Sequence, residues 1–289
     1  MLISRRSDGL QLVAQQEHAR VAGAMAAAWG NGRFSSGVAP ASLVIAATRH
    51  DDGWEGLDAA PLLNEEAGRP AHFLEVPLED TVGPYGEGVD RVYREDVRAG
   101  VLASMHRAGL WASRWGVQDG APAEHPVARE VVAAEDRRIT EHTRELWQAH
   151  GGLRSAFEAA LWRDYEVLQA LDLLSLALCL LDTRRPTDPQ APPPLAAMTL
   201  RGLEQPPGGR IVARVPAANG AHLDLRLDVI DAGVVRVDPF PFDDGELTLA
   251  LAARRMADEP HADAAAAYHA AAIATSAVTL VAAHGAQRS

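Results

Sequence analysis

The sequence predicts a mainly α-helical protein with a small antiparallel β region, α+β overall. Three observations lead to this prediction. The chain of 289 residues is long enough to bury a substantial core. Apolar residues recur at helical spacing in several segments between residues 15 and 181. Short Val-, Leu- and Ile-rich runs bounded by turn residues occur at the start of the chain and again after residue 210.

The first 50 residues are expected to form a hairpin and two helices. The tight-turn pair Asp8-Gly9 separates apolar runs at residues 2–4 and 10–13. A helix is predicted over residues 15–29, because its apolar positions follow the spacing of a buried stripe. A second helix is predicted over residues 40–49.

The middle of the chain is predicted to complete a helical core that spans residues 1–184. Residues 55–88 are rich in Pro and Gly and lack sustained periodicity, so we expect a long loop there. Helical periodicity returns over residues 89–115, 128–149 and 153–181.

The last third of the chain is predicted to be organised differently. Residues 185–195 contain five prolines and are expected to form a linker. Residues 196–253 carry short strand-like runs and are expected to form the small β region. Residues 254–289 are Ala-rich, and we expect a C-terminal helix that packs back on the helical core. An Ala-rich helix could also support a homodimer.

The composition excludes several classes of function. All 27 basic side chains are Arg, and with 39 acidic residues the formal net charge is −12. The absence of Lys excludes a Walker-type P-loop and lysine catalysis. The acidic balance argues against nucleic acid or an anionic membrane as the partner. A single cysteine, Cys179, excludes an internal disulfide and a Cys-rich zinc site.

The same features predict a cytoplasmic protein. A lone cysteine fits a reducing compartment, and the chain begins with charge soon after two apolar residues, unlike a signal peptide. The most apolar stretch, residues 167–181, is shorter than the roughly 20 residues that span a bilayer. It also contains Asp172.

Several His and Asp residues are expected on the inward faces of helices. His18 shares the apolar stripe of its helix, and His106 shares a face with Leu102 and Leu110. Asp172 lies among leucines, where a carboxylate without a partner costs several kcal/mol. A metal, an Arg, a His or helix-terminal N–H groups could compensate it. For each histidine, a simple buried hydrogen bond is the alternative.

The pair His50-Asp51, followed by Asp52-Gly53, lies at a predicted helix end. The order His18, His50-Asp51, Asp172 resembles the HD-domain superfamily of metal-dependent phosphohydrolases, which implies a helical bundle. That resemblance implies His18, His50, Asp51 and Asp172 as ligands of a divalent metal: manganese, iron, nickel or zinc. It also implies catalytic roles for Asp51 and His106. His106 would act either as a general acid or as a ligand to a second metal.

Substrate contacts in such a site must come from residues other than Lys. Arg49 and Arg107 are the candidates to bind phosphate oxygens, since the guanidinium fork suits them. Trp54 is a candidate to pack against an organic substrate, as are Tyr85 and Tyr93, although each of these rings is equally consistent with plain core packing.

Motifs along nearly the whole chain also resemble a bacterial family, domain of unknown function family 3891. This resemblance brings no activity with it. The segments that carry it are Gln15-Gln16-Glu17-His18, Ala28-Trp29-Gly30, His50-Asp51-Asp52-Gly53-Trp54, Ser104-Met105-His106, Leu171-Asp172-Leu173-Leu174-Ser175-Leu176 and Pro239-Phe240-Pro241-Phe242.

The sequence therefore leaves three functions open. The first is a metal-dependent hydrolase of a small phosphorylated or nucleotide-like compound. The second is a non-catalytic metal- or ligand-binding regulatory module, which the missing Lys and the β region favour. The third is a structural role in which Asp172 pairs with His18 or an Arg and no metal binds. The expected partner in the first two is a small molecule.

Overall fold

A computed structural model describes residues 1–35, 39–112, 125–184, 203–204 and 210–283. The described α-helices are α1 (Gln15–Ala28), α2 (Pro40–Arg49), α3 (Glu55–Ala59), α4 (Leu78–Glu95), α5 (Val97–Trp111), α6 (Pro126–His150), α7 (Arg154–Leu180) and α8 (Ala264–Ala270). Short 3-10 helices cover Asp52–Trp54 and Phe73–Glu75. The described strands are β1 (Leu2–Arg6), β2 (Gly9–Val13), β3 (Leu63–Asn64), β4 (Arg69–Pro70), β5 (Leu203–Glu204), β6 (Arg210–Pro216), β7 (His222–Asp231), β8 (Val234–Asp238), β9 (Glu246–Met256) and β10 (Ile273–Ala282).

The predicted fold class, mainly α with a small antiparallel β region, is wrong. About 52% of the described residues are helical and 24% are in strands, and the strands form a large curled sheet. Its order is β1-β2-β9-β10-β8-β7-β6-β5, with the two-residue β5 at one edge. The sheet is mixed, because β10 runs parallel to β8 and antiparallel to β9. A plain helical bundle is thereby excluded as a description of the molecule.

The predicted C-terminal helix is the main source of this error. The segment instead contains the seven-residue α8 and the ten-residue β10. Alanine favours helix, but β10 also carries β-branched residues and pairs with β9 at nine consecutive positions. Sheet pairing therefore outweighs the local preference of its alanines. The homodimer expected from that helix loses its basis and stays a prediction.

The N-terminal hairpin belongs to the same sheet. Strands β1 and β2 form it as predicted, but β2 also pairs with β9, from Leu10 opposite Met256 to Leu12 opposite Arg254. The start of the chain and the region after residue 210 thus share one sheet. The predicted linker, residues 185–195, lies outside the described residues, and the proposed division into domains stays a prediction.

The predicted loop at residues 55–88 contains α3, the β3–β4 hairpin, a 3-10 turn and the first half of α4. Its glycines and Pro84, which lies inside α4, hide the helical pattern. Two glycines are required by a close approach: a Cβ on Gly88 would lie 2.3 Å from the backbone N of Gly53, and one on Gly53 would lie 2.3 Å from Cα of Tyr85. Helix α4 therefore contacts the turn after α2 backbone to backbone.

Together with α1, helix α7 packs directly against the sheet. This helix is buried over most of its second half, and one continuous core joins residues of α1, α2, α5 and α7 to those of the strands. The predicted helix over residues 89–115 is divided at Asp96, whose carboxylate accepts a hydrogen bond from the backbone N–H of Ala99 at 2.7 Å and begins α5. Within the described chain, none of the helices combines the length and apolarity needed to cross a bilayer.

Candidate metal centre

Five buried ionisable side chains meet where α1, α2, α5 and α7 approach one another. His18 lies in α1, His50 directly follows α2 and precedes Asp51, His106 lies in α5, and Asp172 lies in α7. Each is at most 5% exposed. The four predicted metal ligands and the predicted catalytic histidine are therefore brought together from segments that are far apart in the chain.

The distances in this cluster are those of direct neighbours. Nε2 of His18 lies 2.7 Å from Oδ2 of Asp51, and its Nδ1 lies 3.7 Å from Oδ1 of Asp172. Nε2 of His50 lies 3.4 Å from Oδ1 of Asp172 and 3.8 Å from Oδ2 of Asp51. Nε2 of His106 lies 4.0 Å from Oδ1 of Asp51.

Two overlapping groups of ligand atoms could hold a metal ion. One comprises His18, His50 and Asp51, and the other comprises His50, His106 and Asp172. In each group the candidate ligand atoms lie within 4.8 Å of one another. His50 belongs to both groups, which places its imidazole at the centre of the cluster.

Two of the histidine rings, those of His18 and His50, each donate a hydrogen bond from Nδ1 to a fixed acceptor. Nδ1 of His50 donates to the carbonyl of Ala47 at 2.9 Å, and its buried Nε2 has no aligned hydrogen-bond partner among the described residues. Oγ of Ser175 donates to the carbonyl of Asp172 at 2.8 Å, so it accepts from Nδ1 of His18 at 2.9 Å. Metal-binding histidines show this arrangement, in which the second ring nitrogen donates to a fixed acceptor. The nitrogen and oxygen donors present fit a divalent transition metal.

The charges of the cluster are strongly coupled. Burial opposes the charged form of His50, but the carboxylates of Asp51 and Asp172 outweigh it and raise the pKa of His50 to about 9. Burial likewise opposes ionisation of both carboxyls, yet the adjacent His50 holds the pKa of Asp51 and of Asp172 below its ordinary value. Burial and the neighbouring charge on His50 lower the pKa of His106 to about 4. Two carboxylates and a neutral His106 are therefore present at neutral pH.

Two further side chains complete the cluster. The hydroxyl of Tyr85 donates to Oδ1 of Asp51 at 2.6 Å, and Ser175 orients His18 as described. The sequence indicates Tyr85 only as a ring that packs against a substrate or in the core, because the first half of α4 is predicted as a loop. The position of Ser175, three residues after Asp172 on a predicted helix, was the available signal for its role.

A cavity of about 300 Å³ opens directly onto the cluster. Its polar lining comprises His18, Asp51, His106 and Asp172 of the cluster, together with Gln15, Thr81 and His125. Its remaining wall is largely apolar and aromatic, and includes Trp54, Phe73, Leu78, Leu110, Trp111 and Leu176. The cluster thus lies at the bottom of a pocket that can admit a small organic molecule.

The three predicted substrate-binding residues lie in different places relative to the cavity. Trp54 lines the cavity. Arg49 lies outside it and pairs with Asp52 at 2.7 Å and with Glu95. Arg107 is buried behind Trp54, beside a smaller cavity, where it pairs with Glu135 at 2.6 Å and donates to the carbonyl of Val82. Neither guanidinium reaches the pocket above the cluster.

The comparisons with known proteins support one of the two resemblances. The family model described as a protein of unknown function, DUF3891, matches residues 1–258. No curated protein and no solved structure matches the chain significantly, so the HD-domain resemblance gains no support. The match extends over the N-terminal hairpin, the whole His/Asp cluster and the sheet as far as β9. The chain therefore belongs to the DUF3891 family of proteins of unknown function.

Proposed function

We propose that the protein is a metal-dependent hydrolase of a small molecule, with His18, His50, Asp51 and Asp172 as ligands of a divalent metal. The observation that carries this proposal is the orientation of His50. Its Nδ1–H is held by the carbonyl of Ala47, while its buried Nε2 points between two carboxylates. The proton on this nitrogen is held by the two carboxylates, and a divalent cation bound among the same three groups would take its place.

The charge balance also supports a bound cation. Two ionised carboxylates buried side by side repel each other and need positive charge nearby. In the metal-free protein a proton on His50 supplies part of it. A divalent cation that displaces this proton adds one net positive charge and thereby balances the two carboxylates.

A bound divalent metal supplies Lewis acidity and makes a water molecule acidic enough to react near neutral pH. The chain's own residues would do the rest. His106, neutral at pH 7, can accept a proton at Nε2 and pass it to a leaving group. Tyr85 and Ser175 fix the orientations of Asp51 and His18. The apolar wall excludes bulk water from the reacting bond.

The phosphorylated or nucleotide-like substrate expected from the HD-domain resemblance is not part of this proposal. Arg49 and Arg107 are each neutralised by a carboxylate and lie away from the cavity. Among the described residues, no Arg side chain is placed to bind a phosphate group beside the metal.

The proposal is tested by metal reconstitution. The chelator-treated protein is loaded separately with manganese, iron(II), nickel or zinc, and bound metal is measured by elemental analysis. Hydrolysis is then followed on uncharged esters, anilides and phosphate esters that release 4-nitrophenol or 4-nitroaniline. We expect at least one metal per chain and turnover that disappears on chelation and in Asp172→Asn.

Two results would contradict the proposal in different ways. Absence of bound metal under all four conditions would remove the metal centre itself. Stoichiometric metal without hydrolysis of any compound would leave the cluster as a binding site and favour the non-catalytic regulatory module.

A further inference from the structure

The carboxylate of Asp51 is held from two sides. Its Oδ2 lies 2.7 Å from Nε2 of His18, within one group of candidate ligand atoms. Its Oδ1 accepts a hydrogen bond of 2.6 Å from the hydroxyl of Tyr85. The terminal torsion of an aspartate has a broad energy minimum, so a carboxylate without such a bond can turn about it. The hydroxyl of Tyr85 limits this rotation and keeps Oδ2 towards His18.

The ring of Tyr85 depends in turn on a contact from α5. The ring borders a small cavity of about 30 Å³, so part of its surface lacks packing atoms. The guanidinium of Arg107 lies over the ring, with Cζ 5.7 Å from the ring centroid. A cation at this distance is attracted to the face of an aromatic ring. Arg107 therefore supports Tyr85 beside the cavity.

Arg107 is itself fixed by α4 and α6. Its Nη1 donates to Oε1 of Glu135 at 2.6 Å, and its Nη2 donates to the carbonyl of Val82 at 2.6 Å. Val82 precedes Tyr85 by three residues and so lies on the same side of α4. Arg107 and Glu135 are both buried. The planar guanidinium thereby links three helices next to the ring of Tyr85.

We propose that Tyr85 and the ion pair of Arg107 with Glu135 are positioning residues for Asp51. The ion pair fixes the ring of Tyr85, and the hydroxyl of the ring fixes the carboxylate that faces the candidate ligands. As a statement about metal binding, this inference rests on the proposed metal centre. Partners that orient a metal ligand contribute about 10–100-fold to metal affinity.

Cobalt(II) is the probe for this proposal, because its visible absorption reports both its binding and its coordination geometry. Tyr85→Phe keeps the ring and removes only the hydroxyl. We expect it to lower cobalt affinity about tenfold or more and to shift the visible bands. Tyr268 is the matched control, since it is also 6% exposed and donates to the carbonyl of Asp58, outside the cluster. Tyr268→Phe should leave both the affinity and the spectrum unchanged.

A double-mutant cycle tests whether Arg107 acts through Tyr85. Arg107→Lys keeps a positive charge beside Glu135 but loses the planar fork, and it should lower cobalt affinity about threefold, in the range of coupling between residues in contact. In the Tyr85→Phe background the same substitution should have no further effect. Arg254, which lies over the ring of Tyr268, provides the control variant Arg254→Lys. Losses that multiply in the double variant would overturn the proposed action of Arg107.

The orientation of Asp51 can also be measured in the metal-free protein. Nε2 of His18 contacts Oδ2 of Asp51, so a rotated carboxylate changes the ¹⁵N resonances of the His18 ring. At constant pH we expect these resonances to shift in Tyr85→Phe and in Arg107→Lys, but not in Tyr268→Phe. Unchanged resonances in both variants would overturn the inference whether or not the protein binds metal.

The outcomes separate this inference from the proposed function. Equal cobalt affinity and equal spectra in the wild type and Tyr85→Phe would overturn the inference and leave the metal centre intact. An equal loss of affinity in Tyr268→Phe would also overturn it, because any buried hydroxyl would then have the same effect. A wild-type protein that binds no cobalt, but whose His18 resonances shift in Tyr85→Phe, would support the positioning of Asp51 and contradict the proposed metal centre.

Discussion

Replacing His50 by asparagine should abolish the stabilisation that a metal gives to this protein. Nδ2 of asparagine occupies nearly the position of Nδ1 in histidine, so the donor to the carbonyl of Ala47 is kept. The variant has no atom in the position of Nε2, the nitrogen that lies 3.4 Å from Asp172. His50→Asn therefore removes one candidate ligand atom and leaves the local backbone contact in place.

The expected magnitude follows from mass action. A ligand at 100 times its dissociation constant stabilises the native state by about 2.7 kcal/mol, which raises the melting temperature of a chain of this size by about 5–10 °C. His50 belongs to both groups of ligand atoms. If its loss weakens binding about 100-fold, the same metal concentration gives only about 0.4 kcal/mol, or about 1–2 °C.

Differential scanning fluorimetry of chelator-treated protein, with and without added manganese or zinc, measures this effect. The exposed His269 lies outside the cluster, so His269→Asn controls for adventitious binding to imidazole and should behave like the wild type. An equal metal-dependent rise in the wild type and in His50→Asn would refute the reasoning, because the metal would then bind elsewhere. Absence of a rise in the wild type would refute it as well.

Three further predictions use other features of the structure. Because the pKa of His50 is raised to about 9, metal must displace its proton below that pH. Metal affinity, measured by competition with a chromophoric chelator, should therefore fall by up to about tenfold per pH unit as pH decreases from 9; an affinity independent of pH would contradict this. Gly88→Ala should lower the free energy of unfolding in urea by about 1–3 kcal/mol, because its Cβ would meet the backbone of Gly53 at 2.3 Å. In the same helix Gly83 faces open space, so Gly83→Ala should be neutral or stabilise by up to about 1 kcal/mol, and equal losses would disprove the close approach. Arg6→Met should cost about 1–3 kcal/mol, since Arg6 is buried and donates to the carbonyls of Cys179 and Leu180, whereas the exposed Arg5→Met should cost less than about 1 kcal/mol; similar losses in both would contradict the argument.

Much of the His/Asp cluster could be predicted from the sequence, because its members are ionisable residues at positions that the helical pattern predicts to be buried. A carboxylate among leucines, as at Asp172, and a histidine on an apolar stripe, as at His18, are conspicuous because burial makes them costly. Tyr85 and the apolar cavity wall were harder to predict. Tyr85 and part of the wall, Phe73 and Leu78, come from a segment in which Gly88 makes a backbone contact with Gly53, and no one-dimensional pattern encodes that contact.

Arg49 and Arg107 lie away from the predicted substrate position for a related reason. Arg49 and Arg107 directly neighbour His50 and His106 in sequence, but Arg49 pairs with the distant Glu95 as well as with the nearby Asp52, and Arg107 pairs with the distant Glu135. Which carboxylate neutralises a guanidinium depends on helix packing, and sequence distance gives no measure of it. Neither Arg lines the cavity, so the phosphate contacts of Arg49 and Arg107 stay predictions without support from these positions.

The error in fold class bears directly on the candidate metal centre. Helices α1 and α7, which carry His18 and Asp172, are both hydrogen-bonded to the sheet. Arg6 of β1 binds the last carbonyls of α7, and Glu17 of α1 accepts a hydrogen bond from the backbone N–H of Ala252 in β9 at 2.6 Å. A displacement of about 1 Å between ligands is enough to weaken a metal site, and two helices packed only through apolar side chains can shift by that much. The sheet therefore holds the two ligand-bearing helices relative to each other through β1 and β9, and β10, the strand that the Ala-rich composition did not predict, pairs along β9.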